Sequence, residues 1–192
     1  MTMARSSWRI SVVVGVVSMG IVATSAGTVA HRKDEYLQAA RIALDPGRVQ
    51  IYLNLTAGIA VADAVLADVD RDRSGTISAG EAAAYAQVVR KAVRLTLDGR
   101  PLSLELVDSR FPGVESIRKG EAAISLELAA GLPALAAGAH HLRFRNTHRR
   151  DIGAYLANVL VPANDRIAIS SQRRDVDQRE LTVDYVLDRR VH

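Results

Sequence analysis

Between Asp70 and Glu81 the chain sets oxygen-bearing side chains at alternate positions: Asp70, Asp72, Ser74, Thr76 and Ser78, closed by Glu81. Alternate oxygens on a curled segment suit a large, hard cation that takes six to eight oxygen ligands, which is the chemistry of calcium. In a twelve-residue loop numbered from Asp70, positions 1, 3 and 5 give side-chain oxygens. Thr76 at position 7 gives its backbone carbonyl, Ser78 at position 9 acts through a bridging water, and Glu81 at position 12 offers both carboxylate oxygens. Gly75 stands at position 6, where the chain has to turn sharply. Ile77 at position 8 is expected to point inward and tie the loop to a core.

Such a loop needs a rigid element on each side. Ile59 to Val69 carries Val61, Val65, Leu66 and Val69 at helical spacing and stops where the loop starts. Beyond the loop, Ser78-Ala79-Gly80-Glu81 reads as a capping box that opens a second helix, running to about Arg94. A plain Asp/Gly turn between two helices is the competing reading, but such a turn requires neither Glu81 nor Ile77 where they stand. In Asp70, Asp72, Ser74, Gly75, Thr76, Ser78 and Glu81 the segment resembles the EF-hand superfamily. That resemblance implies one bound Ca2+. EF-hands usually pair, and no second loop is found: Asp175-Val176-Asp177-Gln178 lacks the glycine. Arg71 and Arg73 add positive charge beside the donors, so affinity is expected in the extracellular range, Kd roughly 10⁻⁴–10⁻³ M. A site that weak is filled constantly where calcium is millimolar, which favours a structural ion over a switch.

The N-terminus bears on compartment. Arg5 and Arg9 precede an apolar run from Ile10 to about Ala23, and Thr28-Val29-Ala30 suits a signal peptidase. Residues 1–30 are read as a signal peptide cleaved after Ala30, with an uncleaved membrane anchor as the alternative. Either way residues 31–192 are expected outside the cytoplasm, periplasmic or secreted, with no later transmembrane segment. The chain's formal charge of +4 falls to +2 without Arg5 and Arg9. A balance so mild, on an exported chain, excludes nucleic acid as a partner. Cysteine is absent, which removes disulfides, thiolate metal sites and cysteine catalysis.

The rest reads as strands. Glu35–Leu44 and Val49–Leu55 form an opening hairpin about Asp45-Pro46-Gly47-Arg48. Arg94–Leu97 turns at Asp98-Gly99 into Leu102–Val107, with Pro101 confining that strand to an edge or a start. Further strands are expected at Ala123–Leu128, His141–Arg145, Tyr155–Val161, Arg166–Ser170 and Leu181–Leu187, with loops such as Phe111-Pro112-Gly113 between them. The predicted fold is α+β, mostly β: an immunoglobulin-like (Ig-like) β-sandwich in one domain, 31–192, with the helix–loop–helix inserted at 59–94.

Other residues have metal-binding or partner-binding chemistry of their own. A free α-amine on His31 chelates copper or nickel together with its imidazole, and His140, His141 or His148 can complete such a site. The competing reading leaves these histidines as exposed strand and loop residues. Arg143 and Arg145 alternate with Leu142 and Phe144, giving a basic strand face for an acidic partner, lipid headgroups or solvent. No Gly-x-Ser-x-Gly, His-Glu-x-x-His or phosphate loop occurs, so no enzyme is expected.

Ala30-His31, Asp34-Glu35-Tyr36-Leu37, the early hairpin, the Asp/Gly loop and Gly153-Ala154-Tyr155-Leu156-Ala157-Asn158 together resemble the extracytoplasmic region of hydrogenase/urease-accessory nickel and cobalt permease relatives. That resemblance implies an ectodomain linked to transport of nickel or cobalt. The sequence reaches His192 without the spanning helices of those permeases, so a free-standing subunit partnering a membrane or envelope protein is the expectation.

Overall fold

The computed structural model describes residues 34–189. The signal segment 1–30 and His31 lie outside the described residues. Strands hold 47% of the structure and helices 20%, so the chain is mostly β. The opening hairpin pairs β1 (Tyr36–Asp45) with β2 (Arg48–Ala57), register Asp45↔Arg48 at the turn. Both strands bury alternate residues, as their period-two sequence requires.

After β2 come a 3₁₀ turn, Ile59–Val61, then α1 (Ala62–Val69) and, past the acidic loop, α2 (Ala79–Ala92). The remaining elements are β3 (Val93–Leu97), β4 (Arg100–Pro101), β5 (Glu105–Arg110), α3 (Val114–Arg118), β6 (Ile124–Gly131), β7 (Gly138–Asn146), β8 (Gly153–Val159), β9 (Ile167–Arg174) and β10 (Glu180–Leu187). They make two five-stranded sheets, ordered β5-β6-β2-β1-β8 and β4-β3-β7-β10-β9. All pairs are antiparallel except β1 with β8. One core joins the sheets, with Ile42, Ile51, Leu53 and Leu128 from the first against Leu95, Phe144, Val183 and Tyr185 from the second.

Two expectations need correction. Leu102–Val107 is not one strand. Asp98 (φ +49°) and Gly99 (φ +78°) make the tight turn, but pairing in the second sheet ends at Pro101, apart from one bond in which the Leu102 amide donates to Leu95 O. Leu104 is buried in the crossing, and β5 then joins the edge of the first sheet. The region after Phe111-Pro112-Gly113 is not all loop. It includes the short helix α3, which buries Val114 and Ile117, three residues apart and hence on one face.

Candidate metal centre

Asp70 caps the C-terminus of α1, and its side chain is almost wholly buried. Its carboxylate accepts from the backbone N–H of Ser74 (3.0 Å) on one oxygen and of Gly75 (3.0 Å) on the other. Ser74 N–H also reaches Asp72 Oδ1 at 3.0 Å. These bonds curl the segment around its acidic side chains. Gly75 has φ +81°, a left-handed conformation that a side chain would strain.

Glu81 reaches back from the first turn of α2. Its Oε1 accepts from Arg71 N–H (2.7 Å) and its Oε2 from the Ser78 hydroxyl (2.7 Å) and amide (3.0 Å). The Glu81 amide in turn donates to Ser78 Oγ at 3.3 Å, completing the capping box read from sequence. The Ser78 bonds, side chain first and backbone second, hold the Glu81 carboxyl down at about 2. The carboxylate is therefore charged throughout the physiological range.

One oxygen each from Asp70, Asp72 and Glu81 lies within 4.8 Å of the other two. Oxygens on opposite sides of a calcium ion stand about 4.6–5.2 Å apart, so this spread fits one ion of that size. Ser74 Oγ donates to the Thr76 carbonyl (3.0 Å) within the same loop. Ser78 is engaged by Glu81. Ile77 is half-buried and packs against the core.

Sequence reasoning did not identify what braces this unit. Residues 147–149, after β7, hold both helices. Arg149 (φ +47°) bonds Asp68 and the Ala64 carbonyl of α1, and also Asp151. Tyr85 of α2 bonds Tyr36 Oη (2.8 Å) and His148 Nε2 (3.0 Å) in the interior. The His148 carbonyl accepts from Gln38 (2.8 Å) and Tyr155 (2.7 Å), and its amide donates to Asn146 (3.0 Å). Burial and, next, the charge of Arg149 push the His148 imidazole down to about 4, so it is neutral at pH 7. Gln38, a polar residue at an inward position of β1, is the sequence feature that could have pointed to this network.

The histidines offered as partners for His31 are occupied separately. His140 bonds Asp98 and the Ala136 carbonyl, His141 bonds Asp184, and His148 belongs to the buried network. Among the described residues no metal-ligating cluster contains a histidine. Ser171 Oγ donates to Asp184 (2.7 Å) rather than to His141, so Ser171, Asp184 and His141 do not make the serine–histidine contact of a catalytic triad.

Gly153 keeps the bracing segment closed. A Cβ there would stand 2.6 Å from Arg149 O and 2.7 Å from Tyr155 Oη. Gly153→Ala is expected to destabilise the protein by about 1–3 kcal/mol through overpacking, read as a lower urea midpoint with unchanged slope.

No protein-family model, curated protein or solved structure matches this chain.

Proposed function

We propose that residues 70–81 form an EF-hand that binds one calcium ion, and that the protein is an exported calcium-binding module acting through another envelope protein. The observation that carries the reading is the convergence of Asp70, Asp72 and Glu81 oxygens within 4.8 Å about a loop turned at Gly75. Ser74, the Thr76 carbonyl and Ser78 through a water complete the donor set. Calcium supplies two positive charges to three like charges that otherwise repel, so its main effect is structural. The brace from α1 and α2 to residues 148–149 supports this: a loop ordered by the ion orders two helices already fastened to the sandwich.

The outward location rests on the N-terminal apolar run and its small-residue end. No described helix is long and apolar enough to cross a membrane. Two sheets on one core support an immunoglobulin-like reading, which has to accommodate the parallel β1–β8 pair. Binding rather than catalysis follows from assigning the converging carboxylates to the ion. A link to nickel or cobalt transport rests on the permease resemblance alone.

Calorimetric titration tests the metal reading. The expected result is one calcium per chain with Kd roughly 10⁻⁴–10⁻³ M and weaker magnesium binding, because magnesium demands a tighter octahedron. No calcium heat would leave the segment a turn between helices, and equal affinity for both ions would make it a non-selective carboxylate site rather than an EF-hand.

A further inference from the structure

His140 lies on β7 at one end of the sandwich, far in sequence from the acidic loop, and its side chain is mostly buried. Both ring nitrogens face oxygens at hydrogen-bond distance. Nδ1 stands 2.8 Å from Asp98 Oδ2 in the β3–β4 turn, and Nε2 stands 2.8 Å from the Ala136 carbonyl in the connection between β6 and β7. A carbonyl and a carboxylate only accept. A neutral imidazole has one N–H, and would set its lone pair against one of these oxygens. Only the imidazolium, with a proton on each nitrogen, satisfies both contacts.

Asp98 is fixed to receive it. Its Oδ1 accepts the His141 amide (2.8 Å), and its own amide donates to the His141 carbonyl (2.8 Å). The connection 132–137 is fastened by the Leu132 amide to Gly47 O (2.9 Å), by Leu132 and Leu135 packing on the core, and by the His140 bond to Ala136.

We propose that His140 is a pH-dependent latch: as an imidazolium it clasps the 132–137 connection to the β3–β4 turn, and loss of its Nε2 proton to solvent frees that connection. Deprotonated, Nδ1–H keeps Asp98 while the Nε2 lone pair opposes the Ala136 carbonyl. The connection then swings out and exposes Leu132 and Leu135.

The groups facing His140 are few. The β3–β4 turn contributes Asp98. From β10 comes Tyr185, whose ring packs 5.5 Å from the imidazole and whose buried hydroxyl has no partner among the described residues; burial and then Asp98 push it up to about 12, so it stays neutral. On β7 the next residue, His141, points to the opposite sheet face and pairs with Asp184. The connection itself has no ionisable side chain. Burial alone pulls the imidazole down, but the Asp98 and Ala136 bonds outweigh it and raise its pKa above 6.5. The sign follows: the clasp is complete below the ordinary histidine range and is lost as pH rises through the raised value.

Two measurements on the intact protein test this. Long-range ¹H–¹⁵N spectra of ¹⁵N-histidine-labelled protein are expected to show His140 protonated on both nitrogens at pH 5.5, losing the Nε2 proton with a midpoint above 6.5. Hydrogen exchange of the Leu132 amide, whose bond to Gly47 O fastens the connection, should, once corrected for intrinsic base catalysis, show opening that rises by up to tenfold per pH unit between 6.5 and that midpoint and levels off above it. Asp98→Asn should move the midpoint to 6.5 or below. A neutral His140 at pH 5.5, or opening that ignores its titration, would overturn the latch, and the unmodified protein suffices for both readings.

Discussion

Glu81→Ala is expected to abolish the calcium response of this protein while leaving the sandwich folded. At calcium a hundredfold above Kd, a single site stabilises the native state by about 2.7 kcal/mol, which for a domain of this size raises Tm by roughly 5–10 °C. Without Glu81 that rise should vanish. The loop would lose the ligand that offers two oxygens, and Asp70 and Asp72 would be left on one side of an open site. Glu81 also serves α2 through its bonds with Ser78, so the variant should have a lower Tm even without calcium. Ser78→Ala separates the two roles. It removes the cap but only a water-bridged donor, so it should lower Tm and keep most of the calcium rise. The pH dependence has a definite sign. The Ser78 bonds hold the Glu81 carboxyl at about 2, below its unfolded value of 4.5, so its contribution is whole above about pH 4.5 and fades as pH falls toward 2. Calcium binding should thus be flat from pH 7 to 5. An unchanged calcium rise in Glu81→Ala would remove the loop from the metal reading.

The convergence of Asp70, Asp72 and Glu81 was legible because it is local: spacing along twelve residues already dictates which side chains meet. The capping box was legible for the same reason, since Ser78 and Glu81 meet within one helical turn. The β1–β2 hairpin followed from strict alternation about a Pro-Gly turn. Tertiary pairing was not legible. Nothing local in Leu102–Val107 announces that Leu104 crosses into the core and delivers β5 to the other sheet. No local feature marked residues 147–149 as a brace, and His148 read as a spare metal ligand. Its neighbours Gln38, Tyr36 and Tyr85 lie at least 63 residues away in sequence, so only the folded chain brings them to it. The acceptor pair around His140 is non-local too, for Asp98 is 42 residues distant.

The largest loss of stability from a single hydroxyl is expected at Tyr85. Tyr36, Tyr85 and His148 are almost completely buried, and the chain of bonds among them has one consistent direction. Among the described residues Tyr36 Oη has no other acceptor, so its proton goes to Tyr85; Tyr85 then donates to His148 Nε2, and the imidazole proton sits on Nδ1. Tyr85→Phe strands two groups, the Tyr36 hydroxyl and His148 Nε2. At about 1–3 kcal/mol for each buried orphan, the loss is roughly 2–6 kcal/mol and on the order of 10 °C in Tm. Tyr36→Phe leaves the Tyr85 donation intact and should cost only about 1 kcal/mol. The double variant strands His148 alone and should therefore be more stable than Tyr85→Phe, a reversal that simple addition forbids. If the two losses add, the network does not run in this direction. The same burial makes the protein acid-sensitive. His148 titrates at about 4 when folded against 6.5 in its ordinary state, so the unfolded chain takes up a proton first as pH falls. Stability should drop by roughly 3 kcal/mol between pH 7 and 4 from this residue, and His148→Gln should flatten that slope in urea melts across the interval. The fall runs opposite to the His140 clasp, which strengthens toward acid. The brace for the helices and the latch at the far end therefore answer pH with opposite signs, and hydrogen exchange in α2 and at the Leu132 amide should move in opposite directions.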